Sequence, residues 1–210
     1  MTPDAVLDAI AASRIVAVIR AASAQQAVDA AGALAAGGIT AVEIALTTPS
    51  ATTAIRKIAA AHPQLLVGAG TVLTSIEAAT SVHAGAAFVV SPGLDHDVLA
   101  AARRERVLAI PGVLTPTEVQ RASSLVPLLK LFPAGLGGPA LLRALRGPFP
   151  DVRFMPTGGV AVDNLTDWFA AGAFAIGAGT DLCLPEALER GDYDAITRRA
   201  QEYIEAVSRV

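Results

Sequence analysis

The sequence predicts a (β/α)8 TIM barrel, and three observations carry that prediction. Short apolar or β-branched runs begin at residues 15, 39, 64, 86, 106, 126, 152 and 174 of the 210-residue chain. Ala-rich segments of helical period separate them, so each repeat holds one strand, one loop and one short helix. The runs are nearly all apolar, as parallel strands covered on both faces are. An open doubly wound sheet would also alternate strand and helix. Even units with no long crossover and no second-domain signature favour the closed form. No low-complexity linker interrupts the rhythm, so one domain is expected over residues 1–210.

In order, the expected strands are IVAVI (15–19), ITAVEIAL (39–46), QLLVGAG (64–70) and AAFVVS (86–91), followed by RVLAIPG (106–112), VPLLKLF (126–132), VRFMPTGG (152–159) and FAIGAG (174–179). The helices between them carry start and stop signals. SAQQAVDAAGALAAGG (23–38) opens on a capping Ser23 and stops at Gly37-Gly38. TSIEAATSVHAG (74–85) runs from Thr74 to Gly85, and TPTEVQRASS (115–124) has Glu118 three residues after Thr115. VDNLTDWFAAG (162–172) stops at Gly172. Side-chain caps at the start and glycine past the end are what helix termini require.

Composition excludes several classes. At 53% hydrophobic and 17% charged, the chain is too apolar to be disordered. Its apolar runs are broken by Gly, Pro or charge, and none nears the roughly 20 residues that span a bilayer. MTPDAVLDAI has no basic start and no cleavage site, so no signal peptide is expected. A net charge of −3 attracts neither nucleic acid nor anionic lipid. A single cysteine, Cys183, allows no internal disulfide and fits the cytoplasm. Its expected place is the core or an interface. His62, His83 and His96 have no ligand-like spacing, so no metal site is expected. Low charge with much alanine points to a partner subunit covering part of the surface.

Active sites of such barrels lie where the strands end. The polar residues in or just after the eight runs are Arg20, Glu43, Thr47, Thr71, Ser91, Lys130, Thr157 and Thr180. Lysine is scarce: there are fourteen arginines but only Lys57 and Lys130. Lys57 belongs to an ordinary solvated helix. Lys130 sits inside VPLLKLFPA, apolar on both sides. Removing an ammonium from water is costly, and an amine in its neutral form attacks a carbonyl to give an imine. The competing reading is a strand-end lysine reaching water. Glu43, in AVEIAL, must be paired, protonated or catalytic. It can meet Lys130 across the lumen and shuttle protons for imine chemistry, or form a structural ion pair with it.

Arg20, at the end of the first strand, can hold a substrate carboxylate with a bidentate fork. Thr71 follows the small residues of GAGT (68–71), whose backbone a ligand can approach. The turns TGGV (157–160) and GAGT (177–180) precede helices at the last two strand ends. Backbone N–H groups there suit a phosphate.

Taken together, RIVAVIRA (14–21), GGITAVEIALTTP (37–49), VGAGTVLT (67–74), FVVSPGLD (88–95), IPGVLTPTE (110–118), LLKLFPA (128–134), FMPTGGV (154–160) and AIGAGTDL (175–182) resemble the KDPG/KHG (2-keto-3-deoxy-6-phosphogluconate) aldolase family over nearly the whole chain. The resemblance implies a class I aldolase in which Lys130 forms a Schiff base with pyruvate and Glu43 is the general acid/base. It implies that Thr71 meets the pyruvate carboxylate, with Pro92 and Phe132 as apolar contacts. Gly158, Gly159, Gly179 and Thr180 correspond to the phosphate pocket, with Thr157 beside it. It further implies a homotrimer, a small phosphorylated keto acid as substrate, and no metal or organic cofactor. One departure stands out. In one branch of the family an arginine follows the second-strand glutamate and binds the carboxylate, where this chain has Thr47. Another branch has arginine at the end of the first strand, as Arg20 is here. The expected reaction is cleavage of 2-dehydro-3-deoxy-6-phosphogluconate to pyruvate and glyceraldehyde 3-phosphate. The alternatives are a sister aldolase for the galactonate epimer or 4-hydroxy-2-oxoglutarate, and, from another class, a non-catalytic scaffold or a phosphate-binding isomerase.

Overall fold

A computed structural model describes all of residues 1–210. The chain alternates α1 (Pro3–Ser13), β1 (Ile15–Ile19), α2 (Ala24–Ala36), β2 (Ala41–Ala45), α3 (Ala51–Ala61), β3 (Leu66–Gly70) and α4 (Ser75–His83). It continues through β4 (Phe88–Val90), α5 (His96–Arg104), β5 (Leu108–Ile110), β6 (Gly112–Val113), α6 (Pro116–Ala122) and β7 (Leu129–Leu131). Then come α7 (Gly138–Arg146), β8 (Phe154–Pro156), α8 (Leu165–Ala170), β9 (Ile176–Ala178), α9 (Pro185–Arg190) and α10 (Tyr193–Ser208). Single 3-10 turns at Ala134–Leu136 and Val162–Asn164 precede α7 and α8.

The predicted caps form. Ser23 Oγ accepts from Gln26 N at 3.1 Å, and both Thr74 with Glu77 and Thr115 with Glu118 make reciprocal capping boxes. Two elements differ from expectation. The fifth apolar run is divided in two at Pro111, which has no N–H to continue a ladder; its carbonyl still accepts from Lys130 N at 2.9 Å. The N-terminal segment, left unassigned by strand–helix counting, is a helix: Thr2 caps α1 and Pro3 occupies its first turn.

Every strand pair is parallel. The order is β5-β4-β3-β2-β1-β9 in one sheet and β6-β7-β8 in another. An isolated parallel bridge between Thr157 and Gly177 joins β8 to β9, and only Pro111 separates β5 from β6. The architecture is an α/β fold around a curled parallel sheet in six- and three-stranded pieces.

Side chains alternate along the strands with period two, as a pleated strand requires. Ile15, Ala17, Ile19, Val42, Ile44, Val67, Ala69, Leu129 and Leu131 face the helices and belong to one large core. Val16, Ala41, Phe88, Val90, Leu108, Ile110, Leu128, Met155 and Ala175 point to the concave side. There they meet Val6, Leu7 and Ile10 of α1 in a second, smaller core. Burying those three is worth roughly 1.5–3 kcal/mol each. That is enough to hold an eleven-residue helix that would be marginal alone. α1 therefore plugs one end of the concave space and leaves the C-terminal strand ends open.

Candidate active site

The same alternation selects what stands above the plug. Two residues past Ala41 and Leu128, still pointing inward, are Glu43 and Lys130. Glu43 is 1% exposed and Lys130 5%. Lys130 Nζ lies 3.9 Å from Glu43 Oε1 and 4.9 Å from the centre of the Phe132 ring. Thr157, two residues past Met155, is also buried, and Gly177 leaves room for it: a β-carbon there would overlap the Thr157 hydroxyl.

Room for Glu43 comes from the neighbouring strand. Its carboxylate lies over Gly70, where a β-carbon would collide with Oε1 and Cδ. Gly68 likewise yields space to the Phe88 ring. The two glycines of β3 thus let a carboxylate and an aromatic ring occupy a concave face that larger residues would fill.

Glu43 is electrostatically unusual. Neither carboxylate oxygen has a hydrogen-bond partner. Burial pushes its pKa up, and the charges of Lys130 and Arg20 only partly oppose that. At 3.9 Å the lysine is beyond hydrogen-bond range. A tight structural ion pair would close this gap and hold the carboxylate ionised. The wider spacing leaves the carboxyl of raised pKa beside the amine without a direct hydrogen bond between them.

These groups form the floor of a cavity of about 740 Å³ at the strand ends. Arg20, Thr71, Pro92 and Phe132 line its walls, and Gly158, Gly159, Gly179 and Thr180 line the side formed by the ends of β8 and β9. Of the residues singled out from the sequence as site candidates, all but Thr47 and Ser91 border this cavity. Thr47 meets it through Arg20: its hydroxyl accepts a hydrogen bond from Arg20 Nη1. The adjacent Thr48 accepts from Ala21 N at 3.1 Å, so the ends of β1 and β2 are stapled together. Ser91, by contrast, spends its hydroxyl on Gly93 O at 2.7 Å. Lys57 lies outside, donating to Gln25.

Thr71 is held with φ 56°, a left-handed conformation that β-branched residues rarely adopt. Strain of this kind costs of order 1–3 kcal/mol and concentrates at functional sites. Gly158 and Gly159 have φ 84° and 79°, two consecutive left-handed residues that curl the turn at the end of β8. The N–H groups of Gly159, Gly179 and Thr180 donate to no protein acceptor, which leaves them free for an anion. No group of three or more His, Cys, Asp or Glu side chains converges to hold a metal.

The cavity also has walls that sequence reasoning missed. Val18 was reachable by counting two back from Arg20. Gln26 gave no signal: its amide accepts from Ala22 N at 2.6 Å and donates to Leu188 O at 2.8 Å, tying α2 to α9. Cys183 borders the cavity, but burial pushes its thiol up to about 12, so it stays protonated and poorly nucleophilic near neutrality.

Comparison with known proteins follows the same residues. A family model described as KDPG and KHG aldolase matches residues 6–199. The 2-dehydro-3-deoxy-phosphogluconate aldolase of Pseudomonas aeruginosa is 44% identical over 177 residues, 83% of this chain and 80% of that protein. The KHG/KDPG aldolase of Escherichia coli K12 is 42% identical over 183 residues, 86% of each. Among solved structures, the KDPG aldolase of Legionella pneumophila, with pyruvate captured at low pH as a covalent carbinolamine intermediate, superposes with a TM-score of 0.87. It is 34% identical, over 96% of this chain and 97% of that one.

Proposed function

This chain belongs to the KDPG and KHG aldolase family, and from that premise we propose that it is a class I aldolase. Its reaction is cleavage of 2-dehydro-3-deoxy-6-phosphogluconate to pyruvate and glyceraldehyde 3-phosphate. The observation that carries the reading is the buried Lys130–Glu43 pair at the cavity floor, an amine facing a carboxyl of raised pKa.

In this reading the Lys130 amine attacks the substrate's C2 carbonyl, and loss of water gives an imine. Glu43 supplies the proton that leaves with that water. As its carboxylate it then removes the C4 hydroxyl proton, and the C3–C4 bond breaks to release the aldehyde. The bonding electrons pass to C3 as an enamine. Protonation at C3 by Glu43 and hydrolysis of the imine release pyruvate and restore the amine. A single carboxyl with a raised pKa suits this alternation of donor and acceptor. Arg20, oriented by Thr47, and Thr71 hold the pyruvyl carboxylate. Pro92 and Phe132 form the apolar wall, and Gly158, Gly159, Gly179 and Thr180, with Thr157 beside them, hold the phosphate. No cofactor and no metal take part.

A second reading has support in the E. coli relative's name, which joins KHG to KDPG. In it the chain also cleaves 4-hydroxy-2-oxoglutarate, and relative kcat/KM on that acid, on the gluconate and on its galactonate epimer decides the preference. We read the two sheets as one (β/α)8 barrel, with its seams at the Thr157–Gly177 bridge and at Pro111, and residues 1–210 as one catalytic domain. We further propose a cytoplasmic homotrimer. No helix is long and apolar enough to cross a membrane, and Leu73 and Ile76, exposed at the start of α4, are apolar surface that a second subunit would cover.

Borohydride reduction in the presence of pyruvate tests the assignment. The expected result is a stable adduct on Lys130 and none in Lys130→Ala. No adduct, or an adduct on Lys57, refutes it.

A further inference from the structure

Beyond the cavity wall lies a cluster that the reaction does not use. Asp181 directly follows Thr180. Its Oδ2 accepts from Tyr203 Oη at 2.7 Å and from Val162 N at 3.0 Å. Its Oδ1 accepts from Arg199 Nη2 at 2.6 Å, and Arg199 Nε donates to the Asp181 carbonyl at 2.9 Å. Arg199 and Tyr203 both belong to α10, and Tyr203 is fully buried. Neither Asp181 nor Arg199 lines the cavity, so neither touches what the cavity holds.

The residues that Asp181 joins are the two turns that do line it. Val162 comes two residues after Val160, the end of the Gly158-Gly159 turn. That turn is closed on its own side by Asn164, which accepts from Ala161 N and donates to Gly159 O, both at 3.0 Å. The other turn is closed by Leu182 N and Cys183 N on Gly179 O, at 3.0 and 2.8 Å. Beyond the Thr157–Gly177 bridge at the strand ends, the Asp181 carboxylate is a side-chain link from one turn to the other. Free N–H groups stand on both sides of that link, at Gly159 and at Gly179 and Thr180. An anion gripped from two sides is bound well only if the donors keep their separation, and consecutive left-handed glycines are free to relax. A carboxylate beside an anion site would ordinarily repel the anion. Here Arg199 pairs with it at 2.6 Å, while also pairing with Glu202 at 2.7 Å, so the repulsion is offset in part and Asp181 can brace the pocket at a reduced penalty.

We propose that Asp181, anchored by Arg199 and Tyr203 of the C-terminal helix, is a positioning residue that holds the two glycine turns in phosphate-binding register. It thereby sets the enzyme's preference for phosphorylated keto acids. The proposal rests on the aldolase reading for its substrate, but the register of the two turns can be measured without catalysis.

The experiment compares the wild-type protein with Asp181→Ala and Tyr203→Phe in two assays. The first is the ratio of kcat/KM on 2-keto-3-deoxy-6-phosphogluconate to kcat/KM on its unphosphorylated analogue. The second is calorimetric titration with inorganic phosphate. Loss of hydrogen bonds to a charged group predicts that Asp181→Ala lowers the ratio and the phosphate affinity about tenfold. Tyr203→Phe, which leaves Arg199 and Val162 in place, should lower both by about threefold. A purely structural cluster would depress both substrates together and leave the ratio within about twofold of wild type. That result, or unchanged phosphate affinity, overturns the proposal. Should Asp181→Ala fail to fold, the same two measurements on Tyr203→Phe decide it. Wild-type protein that binds phosphate but never traps pyruvate on Lys130 would refute the aldolase reading instead, and the titrations would still judge Asp181.

Discussion

Gly70→Ala is the most economical way to challenge the proposed proton shuttle, because it alters no group that takes part in chemistry. A β-carbon at residue 70 would fall on the Glu43 carboxylate. Glu43 is in the middle of a strand, 1% exposed, with Phe88 filling the space beside Gly68. The carboxylate must therefore be driven out of line with Lys130 or the two strands must part. Overpacking of this kind costs about 1–3 kcal/mol, and for a chain of this length each kcal/mol lowers Tm by about 2–4 °C. Displacing the acid/base should cost roughly 10²–10⁴ in kcat. Retro-aldol turnover is followed by pyruvate release, with Tm measured in parallel and Gly93→Ala as control, since nothing lies within 4 Å of a β-carbon at residue 93. A Gly70→Ala protein that folds and keeps kcat within about threefold of wild type would refute the reasoning. It would mean that Glu43 carries no proton in the slow step, or that the step does not depend on where its carboxylate lies.

Other perturbations probe neighbouring groups. Arg20→Ala should raise KM for pyruvate by about 10–100-fold with a smaller effect on kcat, the loss expected for a charge-assisted fork; an unchanged pyruvate KM removes Arg20 from the carboxylate. Thr71→Gly relieves a left-handed β-branched residue, so its Tm should equal or exceed that of wild type while pyruvate trapping weakens. A clear drop in Tm would show that no strain is stored there. For Glu43→Gln the test is pH. The folded-state pKa of Glu43 is raised, so its contribution to stability is greatest below the ordinary carboxylate value and declines as pH rises toward the raised one. The Tm of Glu43→Gln relative to wild type should therefore climb as pH rises through that window, while activity is lost throughout. A flat difference would contradict the buried, proton-retaining carboxyl.

Much of this was legible in one dimension. Parallel strands buried on both faces leave continuous apolar runs, and capped helices leave Ser, Thr and Gly at fixed offsets, so α2, α4 and α6 could be bounded to within two or three residues. Lys130 and Glu43 were conspicuous because ionisable residues in such runs have few ordinary explanations. What escaped notice depended on partners distant in sequence. α1 reads as an unremarkable N-terminal stretch until its apolar side meets residues from six strands. Gln26 and Asp181 are ordinary polar residues in loop or helix by pattern. Their partners lie 162 and 22 residues away, at Leu188 and Tyr203, and no local period encodes that.

The sequence by itself determined the alternation of strand and helix, the family, and the identity of the amine and carboxyl that face the cavity. The family follows from the resemblance of segments along nearly the whole chain, and the rest from rules that operate over a few residues: period-two burial, caps, turn glycines and the cost of charge in an apolar run. Tertiary structure decided how those groups work together. The 3.9 Å gap between Lys130 and Glu43, the vacancy over Gly70 and the Arg20–Thr47 contact are distances between different strands or the loops that follow them. They exist only once the sheet has curled and the helices have fixed its curvature. The raised pKa of Glu43 belongs to that second group as well, because desolvation is a property of everything packed around a carboxylate and of no residue alone.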